Sequence, residues 1–247
     1  MWKKEEEYYL KANAILSRSE FLFKIYDLLL KEFGYQGWWP LVSLQHTKGF
    51  DAQGYHPQRY DYPKTKQQRL EVIIGAILTQ NASWKNVEKT IYQLYIKKLF
   101  EKDTLKKISE EELASLIHSA GYFRQKAKKI KITMSFLDSG KEINRENLLQ
   151  VWGIGKETAD SILLYAYNQP YFVVDAYTKR IFQRIRFKYE NYESFQELFH
   201  KNLPKNTRLY QEYHALIVTL AKTSCRTKPL CKNCTLRQIC RYGKKSV

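Results

Sequence analysis

Apolar positions recur with helical spacing along most of the chain. In FLFKIYDLLLKEFG (21–34) a mixed apolar face runs to Gly34, and RLEVIIGAILTQ (69–80) is apolar almost throughout. EELASLIHSA (111–120) is amphipathic, and RQKAKKIKITMSFLDSG (124–140) carries a basic face before a glycine stop. These patterns predict helices, with the segment near 70–79 buried at the centre. Strand signals are scarce: YFVVDAY (171–177) is the one β-branched run, short enough to be a link between helices. From Gly37 to Lys66 the pattern dissolves into Gly, Pro, Tyr and His, which predicts a long aromatic loop. No internal repeat or low-complexity tract interrupts this mostly α reading.

One stretch stands out from the periodicity. NLLQVW (147–152) is a short apolar segment, GIGKETA (153–159) follows, and Ala159, Ile162, Leu163 and Ala166 then share one helical face. The whole reads helix, hairpin, helix. Gly153 and Gly155 permit backbone angles closed to other residues and let N–H groups approach an anion at a helix start. By itself such a connection is more often a plain turn between packed helices than a phosphate cradle. Downstream, Asp175 in VVDAYTKRIF precedes another helical run, where it suits an N-cap; a catalytic role requires in addition that it face a cleft.

Charge narrows the partners. The 247 residues are 44% hydrophobic, enough for one large or two modest packed domains. Lys and Arg outnumber Asp and Glu by 42 to 25, for a formal charge of +17. A thermophile-type charged surface balances its signs, so this excess points to a polyanion, with nucleic acid first. MWKKEEEYYLKANAIL at the start has acids where a signal peptide has its apolar core, and no apolar run approaches the roughly 18 residues of a membrane span. A soluble, cytoplasmic protein is expected.

All four cysteines lie near the end, as Cys225-x5-Cys231-x2-Cys234-x5-Cys240. Four thiolates around a small loop suit an iron–sulfur cluster, with zinc as the alternative. The two paired C-x2-C knuckles typical of structural zinc are missing, and disulfides do not suit a chain without a secretion signal. Arg226, Lys228, Lys232, Arg237 and Arg241 surround the cysteines, so the loop could still meet phosphate.

LLQVWGIGKETADSILLYAYNQPYFVVDAYTKR together with the cysteine tail resembles the helix-hairpin-helix (HhH-GPD) DNA glycosylases of the endonuclease III type. The likeness runs from Arg69 to Cys240 and includes ILTQN (77–81) and SAGYFRQKAKKI (119–130). It implies an all-α, two-lobed fold: a six-helix barrel lobe over 67–168 ending in the hairpin, and a lobe of 1–66 plus 169–247 with a [4Fe-4S] loop at 225–240. It implies a monomer that binds double-stranded DNA and flips a damaged base into the cleft between the lobes. Gly153, Ile154, Gly155, Lys156 and Thr158 would then contact the DNA backbone, with room for a monovalent cation at the hairpin. Gln80 or Asn81 would fill the gap in the stack, and Asp175 matches the family's catalytic aspartate. The first cysteine gap is five residues where the family usually has six.

Two positions refine the expected chemistry. In members that also cut DNA, a lysine stands second after the hairpin's last glycine and forms a Schiff base; here that position is Glu157, and Lys156 is rotated by about 100° on the helix. The expectation is base removal with weak or absent lyase activity, against the alternatives of a bifunctional endonuclease III-type enzyme and a non-catalytic DNA-binding module. An acid in the first turn also suits the helix dipole. The adenine-excising branch has a glutamate where this chain has Gly75, which argues against excision of adenine opposite 8-oxoguanine. Trp38 and Trp39 in GWWP, Trp84 and Tyr177 are either lobe-packing residues or walls of a base pocket suited to a cationic alkylated purine. GWWP with LTQNxxW resembles both the branch containing bacterial 3-methyladenine glycosylases and archaeal relatives acting on uracil-type lesions.

Overall fold

Helix α1 (Arg18–Phe33) starts where Ser17 and Glu20 close a reciprocal capping box and ends at Gly34, whose φ of 68° is open to glycine. It belongs to a computed structural model that describes residues 16–246; the acidic start of the chain, through residue 15, lies outside them. Among the described residues there are helices and no strand, and YFVVD (171–175) has no regular secondary structure. None of these helices is long and apolar enough to cross a membrane.

Contacts divide the chain into two compact units: one combines the residues through Gly34, Val174–Lys205 and those from Leu216 onward, the other Tyr35–Val173 and Asn206–Ala215. Sequence reading assigns 1–66 to a terminal lobe, whereas contacts group 35–66 with the hairpin segment.

In the larger unit, α2 (Lys66–Leu78) follows a Thr65–Gln68 capping box and is buried from Leu70 through Leu78. Each of its fully buried Ile and Leu side chains contributes about 1.5–3 kcal/mol. Around it come α3 (Trp84–Ile96), α4 (Lys102–Lys107), α5 (Glu110–Leu116), α6 (Phe123–Asp138), α7 (Arg145–Leu149) and α8 (Lys156–Ser161). The amphipathic 111–120 stretch splits into α5 and a 3-10 turn at His118–Ala120. After α8 the chain continues as a π-helical segment, Ile162–Ala166. Its five residues are all buried, so the apolar stripe expected along one face is a helix buried all round.

The aromatic 35–66 segment has little regular structure yet is firmly tied. Glu71 on α2 accepts from the Ser43 backbone N–H (3.1 Å) and from the Ser43 hydroxyl. Glu212 accepts from Gln36 N–H (2.6 Å) and Tyr60 Oη (2.9 Å). Both carboxyls are buried, and burial raises the pKa of each, to about 7 for Glu71. Gly37 is required where it stands, because a Cβ there would lie 2.3 Å from Pro57 N.

The smaller unit is built from α1, α9 (Ala176–Ile185), α10 (Tyr192–Asn202), the later part of α11 (Thr207–Thr223), and α12 (Arg241–Lys245). Phe21 of α1 meets Phe187 at 6.1 Å between ring centroids, and Phe182 meets Phe199 at 4.9 Å.

Candidate functional site

The hairpin joins α7 to α8. Arg145 on α7 binds the buried Asp160 on α8 in a two-pronged pair, Nε–Oδ1 2.7 Å and Nη2–Oδ2 3.1 Å, which fixes one helix against the other. At the turn, Gly153 has φ 84°, and Ile154 N–H donates to Val151 O at 3.0 Å. Ile154 is buried, whereas Gly155, Lys156 and Glu157 are exposed. Space beside Gly155 is open, since a Cβ there would meet nothing within 4 Å. Trp152 is exposed too, with the Lys128 ammonium 5.1 Å above its ring. Thr158 is buried, and its hydroxyl accepts from Gln80 Nε2 at 2.9 Å.

The end of α2 is held by an unusual cation. Lys126 on α6 is 1% exposed and donates from Nζ to Leu78 O and Ala120 O, both at 2.8 Å. Burial, followed by the Lys129 charge, pulls its pKa down to about 8. A cation is favoured among the last carbonyls of a helix, where the dipole is negative. The chain leaves α2 at this point into the loop that contains Asn81, which is exposed and left-handed at φ 50°.

Trp38, Trp39 and Trp84 form one aromatic group inside the larger unit. Trp39 is buried and meets Trp84 at 5.7 Å and Tyr165 at 5.4 Å; Trp38 stands edge-on to His214 at 5.7 Å. Tyr165 Oη and His214 Nδ1 are 2.7 Å apart. The indole N–H groups of Trp39 and Trp84 are buried without a hydrogen-bond partner. Tyr165 and His214 carry no local signal that would have flagged them; they enter through contacts separated by 49 residues.

Asp175 caps α9: its Oδ1 accepts from Thr178 N–H at 2.7 Å and Thr178 Oγ1 at 2.8 Å. It is half-buried, and its charge acts on Lys222, whose pKa burial lowers and Asp175 pushes back up. Five and nine residues further on, Arg180 and Arg184 reach the cysteine segment. Arg180 Nε donates to Cys225 O at 3.0 Å with its guanidinium 5.1 Å above the Tyr177 ring. Arg184 donates from Nη1 to Cys225 Sγ (3.3 Å) and Arg226 O (2.6 Å), and from Nη2 to Thr227 O (2.9 Å).

All four cysteines are partly buried free thiols. Burial raises the Cys234 and Cys240 thiols; backbone N–H groups pull both back down, and neighbouring thiols add a smaller upward push. Among the described residues, no group of three or more His, Cys, Asp or Glu converges as a single metal ion would need. Donors do face the sulfurs: besides Arg184, Gly243 N–H points at Cys240 Sγ at 3.4 Å. Such N–H groups suit thiolates bound to a cluster, whose properties depend on hydrogen bonds to sulfur.

Gln80, Gly153 and Thr158 thus come together in one hydrogen-bonded group, and Trp38, Trp39 and Trp84 in one aromatic group, both within the larger unit. Asp175, Tyr177 and the cysteines belong to the other unit. Lys129 was visible in the sequence only as part of the basic face of 124–140, and nothing local marked Arg180 or Arg184.

Comparison with known proteins follows the same lines. Residues 74–205 match the HhH-GPD superfamily of base excision DNA repair proteins. A Methanocaldococcus jannaschii protein named as a candidate DNA repair glycosylase is 41% identical over 239 residues, covering 91% of this chain and 97% of its own. An endonuclease III–DNA complex superposes with a TM-score of 0.70 at 22% identity, covering 94% of this chain and 98% of that one. A Helicobacter pylori 3-methyladenine DNA glycosylase bound to 1,N6-ethenoadenine gives 0.65 at 25% identity, covering 84% of this chain and 98% of that one. With the braced hairpin, the capped aspartate and a family match over more than half its length, the chain belongs to the HhH-GPD superfamily of base excision DNA repair proteins.

Proposed function

We propose that the protein is a monofunctional DNA glycosylase that flips a damaged base out of double-stranded DNA and hydrolyses its N-glycosidic bond. The observation that carries the reading is Asp175, a carboxylate held in one orientation by two donors from Thr178. Breaking the glycosidic bond builds positive charge on the sugar, and a fixed carboxylate stabilises that charge and orients the attacking water. The residue in the lyase position, Glu157, has no nucleophilic amine and is exposed in the first turn of α8. Base removal without strand cutting is the consequence.

The DNA backbone is taken up at the hairpin by Gly153, Ile154, Gly155 and Lys156, supported by the charge of +17. Asn81, exposed in a loop, is assigned as the group that fills the vacated stack. For the base we assign an alkylated purine, because Trp38, Trp39 and Trp84 gather in one aromatic group of the kind that attracts a cationic heterocycle; a uracil-type lesion is the alternative. Tyr177, packed under Arg180, is a less direct candidate for the pocket. Cys225, Cys231, Cys234 and Cys240 would hold a [4Fe-4S] cluster. When bound, it would fasten the basic loop between Cys225 and Cys240 as a structural cross-link.

The test is a panel of duplexes carrying 3-methyladenine, uracil, thymine glycol or 8-oxoguanine, each incubated with the protein and then treated with alkali. An abasic product from 3-methyladenine is expected, and no product from any lesion would end the glycosylase reading. Lys222 supports one second reading, a lyase using a lysine outside the hairpin, since burial lowers its pKa against the opposing pull of Asp175. Borohydride would then trap a covalent DNA adduct that Lys222→Ala abolishes; absence of an adduct with the wild type excludes it.

A further inference from the structure

Gln80 lies just beyond α2, where the family resemblance allows it to be the residue that enters the DNA stack. Its side chain is instead engaged at both ends. Nε2 donates to Gly153 O at 3.2 Å and to Thr158 Oγ1 at 2.9 Å, while Oε1 accepts from Lys129 Nζ at 2.5 Å. Thus the loop after α2, the hairpin turn and the basic helix α6 meet at one amide.

The arrangement depends on Gly153 for two reasons. Its φ of 84° suits glycine, and a Cβ there would lie 2.5 Å from Lys129 Cγ and 2.7 Å from Lys129 Cε. The aliphatic stem of Lys129 therefore lies against the hairpin backbone, which brings its ammonium to Gln80. The peptide between Gly153 and Ile154 is clamped at both ends, its oxygen by Gln80 and its N–H by Val151 O at 3.0 Å. Entry of Gln80 into a base stack would break all three bonds and release one end of that clamp. Asn81, the next residue, is exposed and left-handed.

We propose that Gln80 is a positioning residue that couples the hairpin to the loop carrying Asn81, so that the hairpin's grip on the DNA backbone sets where Asn81 enters the stack. Gln80 itself stays outside the stack. The inference rests on the glycosylase reading and adds to it the connection between phosphate binding and base extrusion. Because the coupling runs through one side chain, it makes a signature that a loosely structural role would not: variants at the two ends of the same bond should be non-additive.

The experiment compares wild type, Gln80→Ala, Thr158→Val, their double variant and Asn81→Ala on a duplex bearing the preferred lesion beside 2-aminopurine. Three quantities are read: the fluorescence rise on extrusion, the single-turnover excision rate, and the Kd for undamaged duplex. Gln80→Ala and Thr158→Val are each expected to lower extrusion and excision about tenfold, with the double variant no worse than the stronger single, a coupling of about 1.4 kcal/mol. For Gln80→Ala the Kd for undamaged duplex and the thermal midpoint should stay near wild type, and Asn81→Ala should abolish the fluorescence rise.

Multiplying effects of Gln80→Ala and Thr158→Val would overturn the proposal, as would wild-type extrusion by Gln80→Ala. A deep loss in Gln80→Ala with a harmless Asn81→Ala would make Gln80 the wedge and also overturn it. So would a fall in thermal midpoint with proportionate loss of binding and extrusion. A wild type that excises no base from any lesion overturns the glycosylase reading together with the coupling, whereas a wild type that excises while Gln80→Ala keeps pace overturns the coupling alone.

Discussion

Trp39 occupies the space that a side chain on Gly75 would need: a Cβ at Gly75 would sit 3.1 Å from Trp39 Nε1 and 3.2 Å from Trp39 Cζ2. The two residues are 36 positions apart in sequence, yet each requires the other's size. The glutamate found at this position in the adenine-excising branch therefore has no room here unless the indole moves. Gly75→Glu is expected to destabilise the fold by at least the ~1–3 kcal/mol typical of overpacking, and to gain no excision of adenine opposite 8-oxoguanine. Urea unfolding and a mismatch duplex assay check the two halves. Unchanged stability would show that Trp39 gives way freely.

Asp175 is both a cap and the assigned catalytic carboxylate, and substitution can separate the roles. Asparagine retains the Oδ1 acceptor used by Thr178 N–H and Oγ1, whereas alanine removes it. Asp175→Asn should keep the thermal midpoint close to wild type while single-turnover excision falls by orders of magnitude. Asp175→Ala should lose excision and also about 1 kcal/mol of stability. Full excision by Asp175→Asn would remove the carboxylate from the mechanism.

Glu71 predicts a pH dependence of stability. Burial raises its pKa from 4.5 to about 7 in the folded protein, so between these values the folded state holds a proton that the unfolded state has released. Its contribution is fully present below pH 4.5 and is lost as pH rises through about 7, on the order of 3 kcal/mol in all. Glu212, also raised by burial, acts in the same direction. Glu71→Gln should flatten the slope of unfolding free energy between pH 5 and 7, measured by urea titration at each of these values. An unchanged slope would assign it to other groups.

Arg184 reaches Cys225 Sγ and two loop carbonyls with one fork of donors. Lysine retains the charge but cannot reproduce that geometry. If Cys225, Cys231, Cys234 and Cys240 hold the proposed cluster, both Arg184→Lys and Arg184→Ala are expected to lower the iron and sulfide bound per chain and the visible absorbance of the purified protein, alanine more so. Equal iron content in all three proteins would show that the loop is held without this arginine.

Much of this protein is legible within a few residues of sequence. The glycine stop at Gly34, the apolar run from Leu70 to Leu78 and the Asp175 cap are each written in residues a few positions apart. Local chemistry therefore determined the helices, the hairpin and the basic surface, and order along the chain carried the family resemblance. Tertiary structure alone decided which of these residues act together. Gln80 finds Gly153 across 73 positions, Arg184 finds Cys225 across 41, and Glu212 holds Gln36 across 176. A side chain's partner at such separations depends on the packing of every helix between, and no local period or spacing encodes it. That is why Gln80 reads in sequence as a residue free to enter DNA and in the fold as one already bound to the hairpin.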